Sequence, residues 1–175
     1  MKKLLLICGC TFPLAGLAQE APISPPNPTY TVAGGILGTY KALGVQAEVR
    51  VKSRFAVKAL GVRSFDYGRH GEHGGAGIGL LTFYLPTRHR FLEPLVGVGG
   101  VYSWYHWELP GGRGTLHDVN VGGAFGTNFR FSSRLRTGAH LFVGNGFRAE
   151  EREGTMTTVG RRLLALPTLT LDVLL

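Results

Sequence analysis

In the segment VNVGGAFGTNFRF, residues 119–131, the side chains sort into two sets with a period of two. Val119, Val121, Gly123, Phe125, Thr127, Phe129 and Phe131 make one set. Asn120, Gly122, Ala124, Gly126, Asn128 and Arg130 make the other. A period of two is that of a β-strand, whose successive side chains point to opposite faces. The polar set is also rich in glycine, and that combination limits what the strand can belong to. On a strand face exposed to water, Thr, Lys and Glu are favoured, because glycine weakens a strand and packs against nothing. The interior of a narrow barrel is crowded, so small residues belong there. The polar face is therefore expected inside, and the apolar face outside, against lipid.

The same arrangement recurs along the chain. In GVQAEVRVK, Val45, Ala47, Val49 and Val51 alternate with Gln46, Glu48, Arg50 and Lys52. Gly97 and Gly99 share a side with Glu93, and Gly138, Gly144 and Gly146 share one with Arg136 and His140. Eight strand-like runs are predicted, near 29–40, 43–52, 55–67, 76–85, 91–108, 117–131, 135–147 and 157–175. Connections after the second, fourth and sixth runs are tight. Those after the third, fifth and seventh are longer, at 68–75, 109–116 and 148–157; the first connection, around Lys41-Ala42, is short. Tight turns on one rim and longer loops on the other are the layout of a transmembrane barrel. A tilted strand crosses in about 9–11 residues, so residues 103 to 116 are expected to stand above the membrane as a hairpin ending in Pro110-Gly111-Gly112. Pro94 and Pro167 fall inside strands, and each is expected to mark a bulge or a strained register.

Aromatic residues favour the two membrane–water interfaces. On the tight-turn side the sequence places Tyr30, Phe55, Tyr84, Phe91, Phe129 and Phe131. On the loop side it places Tyr40, Phe65, Tyr67, Tyr102, Trp104, Tyr105, Trp107 and Phe147. Arg63 and Arg161 share the lipid-facing parity near the loop rim, where a long side chain can reach the head groups.

The chain opens MKKLLLICGCTFPLAGLAQE. Lys2 and Lys3 form a positive n-region, Leu4 to Leu17 a mostly apolar stretch, and Gly16-Leu17-Ala18 a small-residue cleavage pattern. Residues 1–18 thus read as a secretory signal, too short to span a membrane; a lipoprotein reading would instead attach lipid at Cys10. Residues 19–28 form a proline-rich leader, and 29–175 the barrel domain. Cys8 and Cys10 leave with the signal, so no disulfide scaffold remains. Of 19 basic residues, removal of Lys2 and Lys3 leaves 17 against 11 acidic ones, a net charge of +6. For an exported protein this suits membrane lipid and lipopolysaccharide better than nucleic acid, and equally suits ordinary solubility.

FLEPLVGVGGVYSWYHW (91–107) and LTLDVLL (169–175) resemble the small bacterial outer-membrane β-barrel proteins of the OmpA/OmpX type, including the outer membrane protein β-barrel domain group. The likeness lies in a proline soon after a turn, alternating glycine and aliphatic residues, then aromatics. Leu169, Leu171, Val173 and Leu175 share one face, similar to the C-terminal signal read by the outer-membrane assembly machinery, although many members end in an aromatic residue. The resemblance spans about residues 29–175. It implies an all-β, eight-stranded antiparallel up-and-down barrel, monomeric, in the bacterial outer membrane.

An eight-stranded barrel has room inside for little beyond its own side chains. Glu48, Arg50, Lys58, Glu93, Asn120, Asn128, Arg130, Arg136, His140 and Asp172 are expected there as a paired polar ladder, since buried charges need partners. The alternative is a narrow path for protons or ions. His70, Glu72 and His73, with Asp66, and separately His117 with Asp118, are candidate metal ligands, but a glycine-rich loop does not fix the convergence a metal needs. No cofactor is expected. Some barrels of this size act on lipid A, and the deacylases among them use a His-x-Ser pair; no histidine here is followed two positions later by serine. Ser103 and His106 have opposite parity, so no serine–histidine–carboxylate group forms and no catalytic residue is assigned. The expectation is a surface-structural protein acting through its loops. The alternatives are a lipid-modifying barrel enzyme and a secreted, lipocalin-like ligand carrier.

Overall fold

A computed structural model describes residues 31–52, 54–64, 72–89, 91–109 and 111–175. The signal and leader expected over 1–28, together with Tyr30, Phe65, Tyr67, Asp66 and His70, lie outside the described residues. The eight strands are β1 (Val32–Gly38), β2 (Ala42–Lys52), β3 (Phe55–Ser64), β4 (His73–Tyr84), β5 (Leu92–Leu109), β6 (Gly112–Arg130), β7 (Leu135–Arg152) and β8 (Thr155–Leu174). Each pairs antiparallel with its sequence neighbour, and β1 closes onto β8 from Ala33↔Leu174 to Gly38↔Leu169. Closure leaves no strand edge unpaired around that girth, which an apolar surround demands of every backbone N–H and C=O.

Apart from Gly75, which packs against the Trp104 ring, the glycines of the two faces differ in their surroundings. A Cβ on inward Gly122 would overlap the Val143 carbonyl and the Gly144 Cα of the neighbouring strand. One on outward Gly77 or Gly79 would meet nothing within 4 Å. Gly99, Gly122 and Gly144 lie side by side across β5, β6 and β7, and the Phe142 ring lies 2.6 Å from where a Cβ on Gly144 would stand. Missing side chains on these strands thus make room for large ones, which is how a narrow barrel fills its bore. The outward face carries Val45, Val98, Val121, Phe125 and Leu163, all exposed.

Neither proline disturbs the register, contrary to the sequence expectation. Pro94 pairs with Thr127 and Pro167 with Leu141 in unbroken ladders, while the register shifts fall at Arg50/Lys52 and Arg148/Ala149. The reason is where the missing N–H points. Pro94 accepts from Leu85 N at 2.8 Å, so its nitrogen faces β4 just past that strand's last residue. Leu175 N donates to Val32 O and Leu174 N to Arg134 O, so odd positions of β8 face β1. Pro167 therefore faces β1 beyond its final paired residue, Gly38. Neither site has a ladder bond to lose.

The connections expected as loops at 109–116 and 148–157 are mostly strand. β5 and β6 pair up to Leu109↔Gly112, and β7 and β8 up to Arg152↔Thr155. β5–β8 thus run 18–20 residues, beyond the 9–11 or so that cross a bilayer. In these extensions the apolar–polar alternation that marks a strand fades although pairing continues. The β7–β8 turn is held by Glu153 (φ 50°) and Gly154 (φ 78°), the two left-handed residues of a type I′ hairpin.

Candidate functional site: the ion-paired lumen and the barrel mouth

The interior is layered, and its turn-side half is charged. Arg136 of β7 is fully buried and fans out to three carboxylates. Its Nε donates to Asp172 Oδ2 at 2.7 Å, Nη2 to Glu48 Oε2 at 2.5 Å and Nη1 to Glu93 Oε2 at 3.5 Å. Glu48 also takes Lys58 Nζ at 3.1 Å and Arg50 Nε at 3.6 Å. Glu93 takes Arg130 Nη2 at 2.6 Å and Arg50 Nη2 at 3.1 Å. Gln46 donates to the second oxygen of Asp172. Asn128 donates to Tyr84 Oη at 3.3 Å and pairs through Oδ1 with His140 Nε2 at 2.8 Å. The members come from β2 to β8, so one network ties seven strands across the bore. Charges taken out of water persist only when paired and hydrogen-bonded in this way.

Nine of the ten lumen residues expected from the sequence meet in this cluster; Asn120 stands apart. It is buried nearer the loop side, and neither side-chain polar atom has a partner among the described residues. Between the two lies an apolar layer of Leu37, Leu60, Ile78, Val101, Ala124 and Phe142. This layer was not anticipated, because these residues interrupt the polar face of their strands.

Tyr84 corrects the aromatic assignment. It is not a lipid-facing girdle residue but points inward, 5% exposed, donating to Glu48 Oε1 at 2.7 Å with the Arg50 guanidinium 3.9 Å above its ring. Phe83 takes the outer position, 5.0 Å from Phe55. Tyr105 likewise lines the mouth of the bore rather than its outside. Tyr40, Tyr102, Trp104 and Phe147 are exposed at the loop side, and Phe55, Phe91, Phe129 and Phe131 at the turn side. Tyr102 hydrogen-bonds His117 Nδ1 at 2.8 Å and stacks near Trp104, and Arg161 lies over Phe147.

At the loop-side mouth, Asp118 of β6 is clamped by two arginines. Arg148 donates through Nε and Nη2, both at 2.8 Å, and Arg162 through Nη1 at 2.9 Å. In the sequence the three residues are far apart, and Asp118 stood only as a candidate metal ligand beside His117. Their convergence depends on the register Asp118↔Arg148 and Gly146↔Arg162, which no local pattern reveals. Of the metal candidates, Glu72 accepts from Tyr105 Oη at 2.5 Å, while the His73 ring lies 5.1 Å from that of His106. Among the described residues no three such ligands converge.

No protein-family model and no curated protein sequence matches the chain. Among solved structures it is similar to the N-terminal β-barrel domain of Pseudomonas aeruginosa OprF, with a TM-score of 0.61 and 12% identity over 81% of this chain and 95% of that one. Neisserial surface protein A aligns at a TM-score of 0.48 and 13% identity, over 82% of this chain and 93% of that one. At that identity the OprF likeness speaks to fold alone: both are closed β-barrels, here of eight antiparallel strands.

Proposed function

We propose, on that fold, that the chain is an integral, monomeric protein of the bacterial outer membrane whose bore is closed by its own side chains. Its work is then done at the cell surface, in envelope structure and contact, by the raised β5–β8 hairpins. The observation that carries this reading is the Arg136 network, which joins seven strands across the bore, with the apolar layer stacked above it. A gap of about 20 Å³ beside Lys58 and His140 has room for about one water. The exposed apolar belt supports lipid rather than water as the surround. The C-terminal face of Leu169, Leu171, Val173 and Leu175 is the segment the assembly machinery would engage, and no step of catalysis is assigned to any residue.

Reconstitution into planar bilayers tests the closed bore. Protein that has refolded should leave the bilayer without discrete conductance steps. Regular single-channel openings would overturn the reading and make the lumen a path for ions.

A further inference from the structure

Above Asn120 the bore opens into a cavity of about 390 Å³, reached from the loop side. That volume lies in the range of small-molecule pockets. Its walls combine three features that a solvated rim does not need. The first is an excess of positive charge: Lys41, Arg148 and Arg162 line it against Asp118, and among the described residues, even with Glu72, held on the neighbouring Tyr105 hydroxyl, three cations face two anions. The second is an uneven sharing of Asp118. Arg148 covers both of its oxygens in a fork, so Arg162 reaches it with one nitrogen, Nη1, and its side chain is 45% exposed. The third is Ser64 Oγ, which is buried with no partner among the described residues. A buried hydroxyl left unpaired calls for an explanation. Ser103 lines the same cavity.

We infer that the mouth of this barrel is a binding site for a phosphate-type oxyanion, with Arg162 and Lys41 supplying charge and Ser64 and Ser103 hydroxyl donors. A tetrahedral oxyanion takes several donors from different directions, and guanidinium groups match its edges. Asp118 then has a positioning role: it holds Arg148 and Arg162 at the wall and leaves the remaining guanidinium N–H groups of Arg162 for the ligand. The group could arrive on a small soluble phosphate or on a lipopolysaccharide phosphate at the outer leaflet, and the chemistry of the site is the same for both.

The full chain, refolded in uncharged maltoside micelles, is titrated calorimetrically with inorganic phosphate and with glycerol phosphate, then with lipopolysaccharide as competitor. Saturable binding is expected from at least one of the two sources. Loss of one charge-assisted contact should weaken it about tenfold in Arg162→Gln, and by less in Ser64→Ala. Arg63→Gln, on the outer face, should leave it unchanged. Displacement by lipopolysaccharide but not by its dephosphorylated form would assign the group to lipid; binding of the soluble phosphates without such displacement would assign it to a solute. Either supports the site. No saturable binding from either source, equal affinity in Arg162→Gln, or an equal loss in Arg63→Gln would overturn it. The proposal presumes the barrel, and the boiling-dependent gel shift of each sample reports barrel integrity separately.

Discussion

Replacing Arg136 with methionine removes the guanidinium that serves three carboxylates, yet the three do not suffer equally. Glu48 keeps Lys58 at 3.1 Å and Arg50 at 3.6 Å. Glu93 keeps Arg130 at 2.6 Å and Arg50 at 3.1 Å. Asp172 is fully buried, and Arg136 is its direct ion-pair partner among the described residues; what remains to it is the Gln46 amide and, without direct pairing, the nearby Lys58 charge. Arg136→Met therefore strands one buried carboxylate, and a buried pair broken from one side costs about 3–5 kcal/mol. Asp172→Asn removes the other end but leaves Arg136 with Glu48 and Glu93, so its cost should be near that of one charge-assisted hydrogen bond, about 1.5–3 kcal/mol. The double variant no longer holds the stranded charge and should be more stable than Arg136→Met alone. Equilibrium urea unfolding in thin phosphatidylcholine vesicles, followed by Trp104 and Trp107 fluorescence, measures all three. A cost under about 1 kcal/mol for Arg136→Met, or a double variant whose cost is the sum of the singles, would refute the argument.

The two glycine environments predict opposite signs. Gly122→Ala pushes a methyl into backbone of the next strand and should cost about 1–3 kcal/mol or more. Gly79→Ala meets open space and should be neutral or stabilising by up to about 1 kcal/mol; the same unfolding assay separates them. Val121→Lys, on the outward face in mid-strand, should cost about 2–4 kcal/mol in vesicles. On a water-exposed barrel the same change would fall within about 0.5 kcal/mol. Gly154→Val places a β-branched residue at φ 78° in the β7–β8 turn, a strain of about 1–3 kcal/mol. It should raise proteolytic cutting near Arg152 without loss of the membrane-embedded barrel, as read by the size of the protected fragment.

Strand phase was legible wherever one face is polar and the other apolar, because a period of two is a local property. Glu48, Arg50 and Lys58 could be oriented from a few neighbours. Tyr84 was harder: in LLTFY Thr82 alone marks its face as the polar one, and the tendency of tyrosine to sit at interfaces outweighed that one residue and suggested the wrong side. The apolar layer eluded the sequence for a related reason. Leu37, Leu60, Ile78 and Phe142 come from four separate strands, and each alone reads as an exception to a polar face. The mouth needed the register of three strands to bring Asp118, Arg148 and Arg162 together. The fifth run was placed almost at its full length, but β6 and β7 were underestimated, because hydropathy alternation reports what surrounds a strand and fades in the far parts of these hairpins although pairing continues.

The central claim is that the apolar face looks outward at lipid from a closed barrel. The most direct test is envelope fractionation followed by gel electrophoresis in SDS, with boiled and unboiled samples side by side. A closed ring offers detergent no unpaired edge at which to open it. The account predicts protein in the membrane fraction whose mobility shifts on boiling. Protein that stays in the soluble fraction with a single mobility would mean that the barrel has been read inside out.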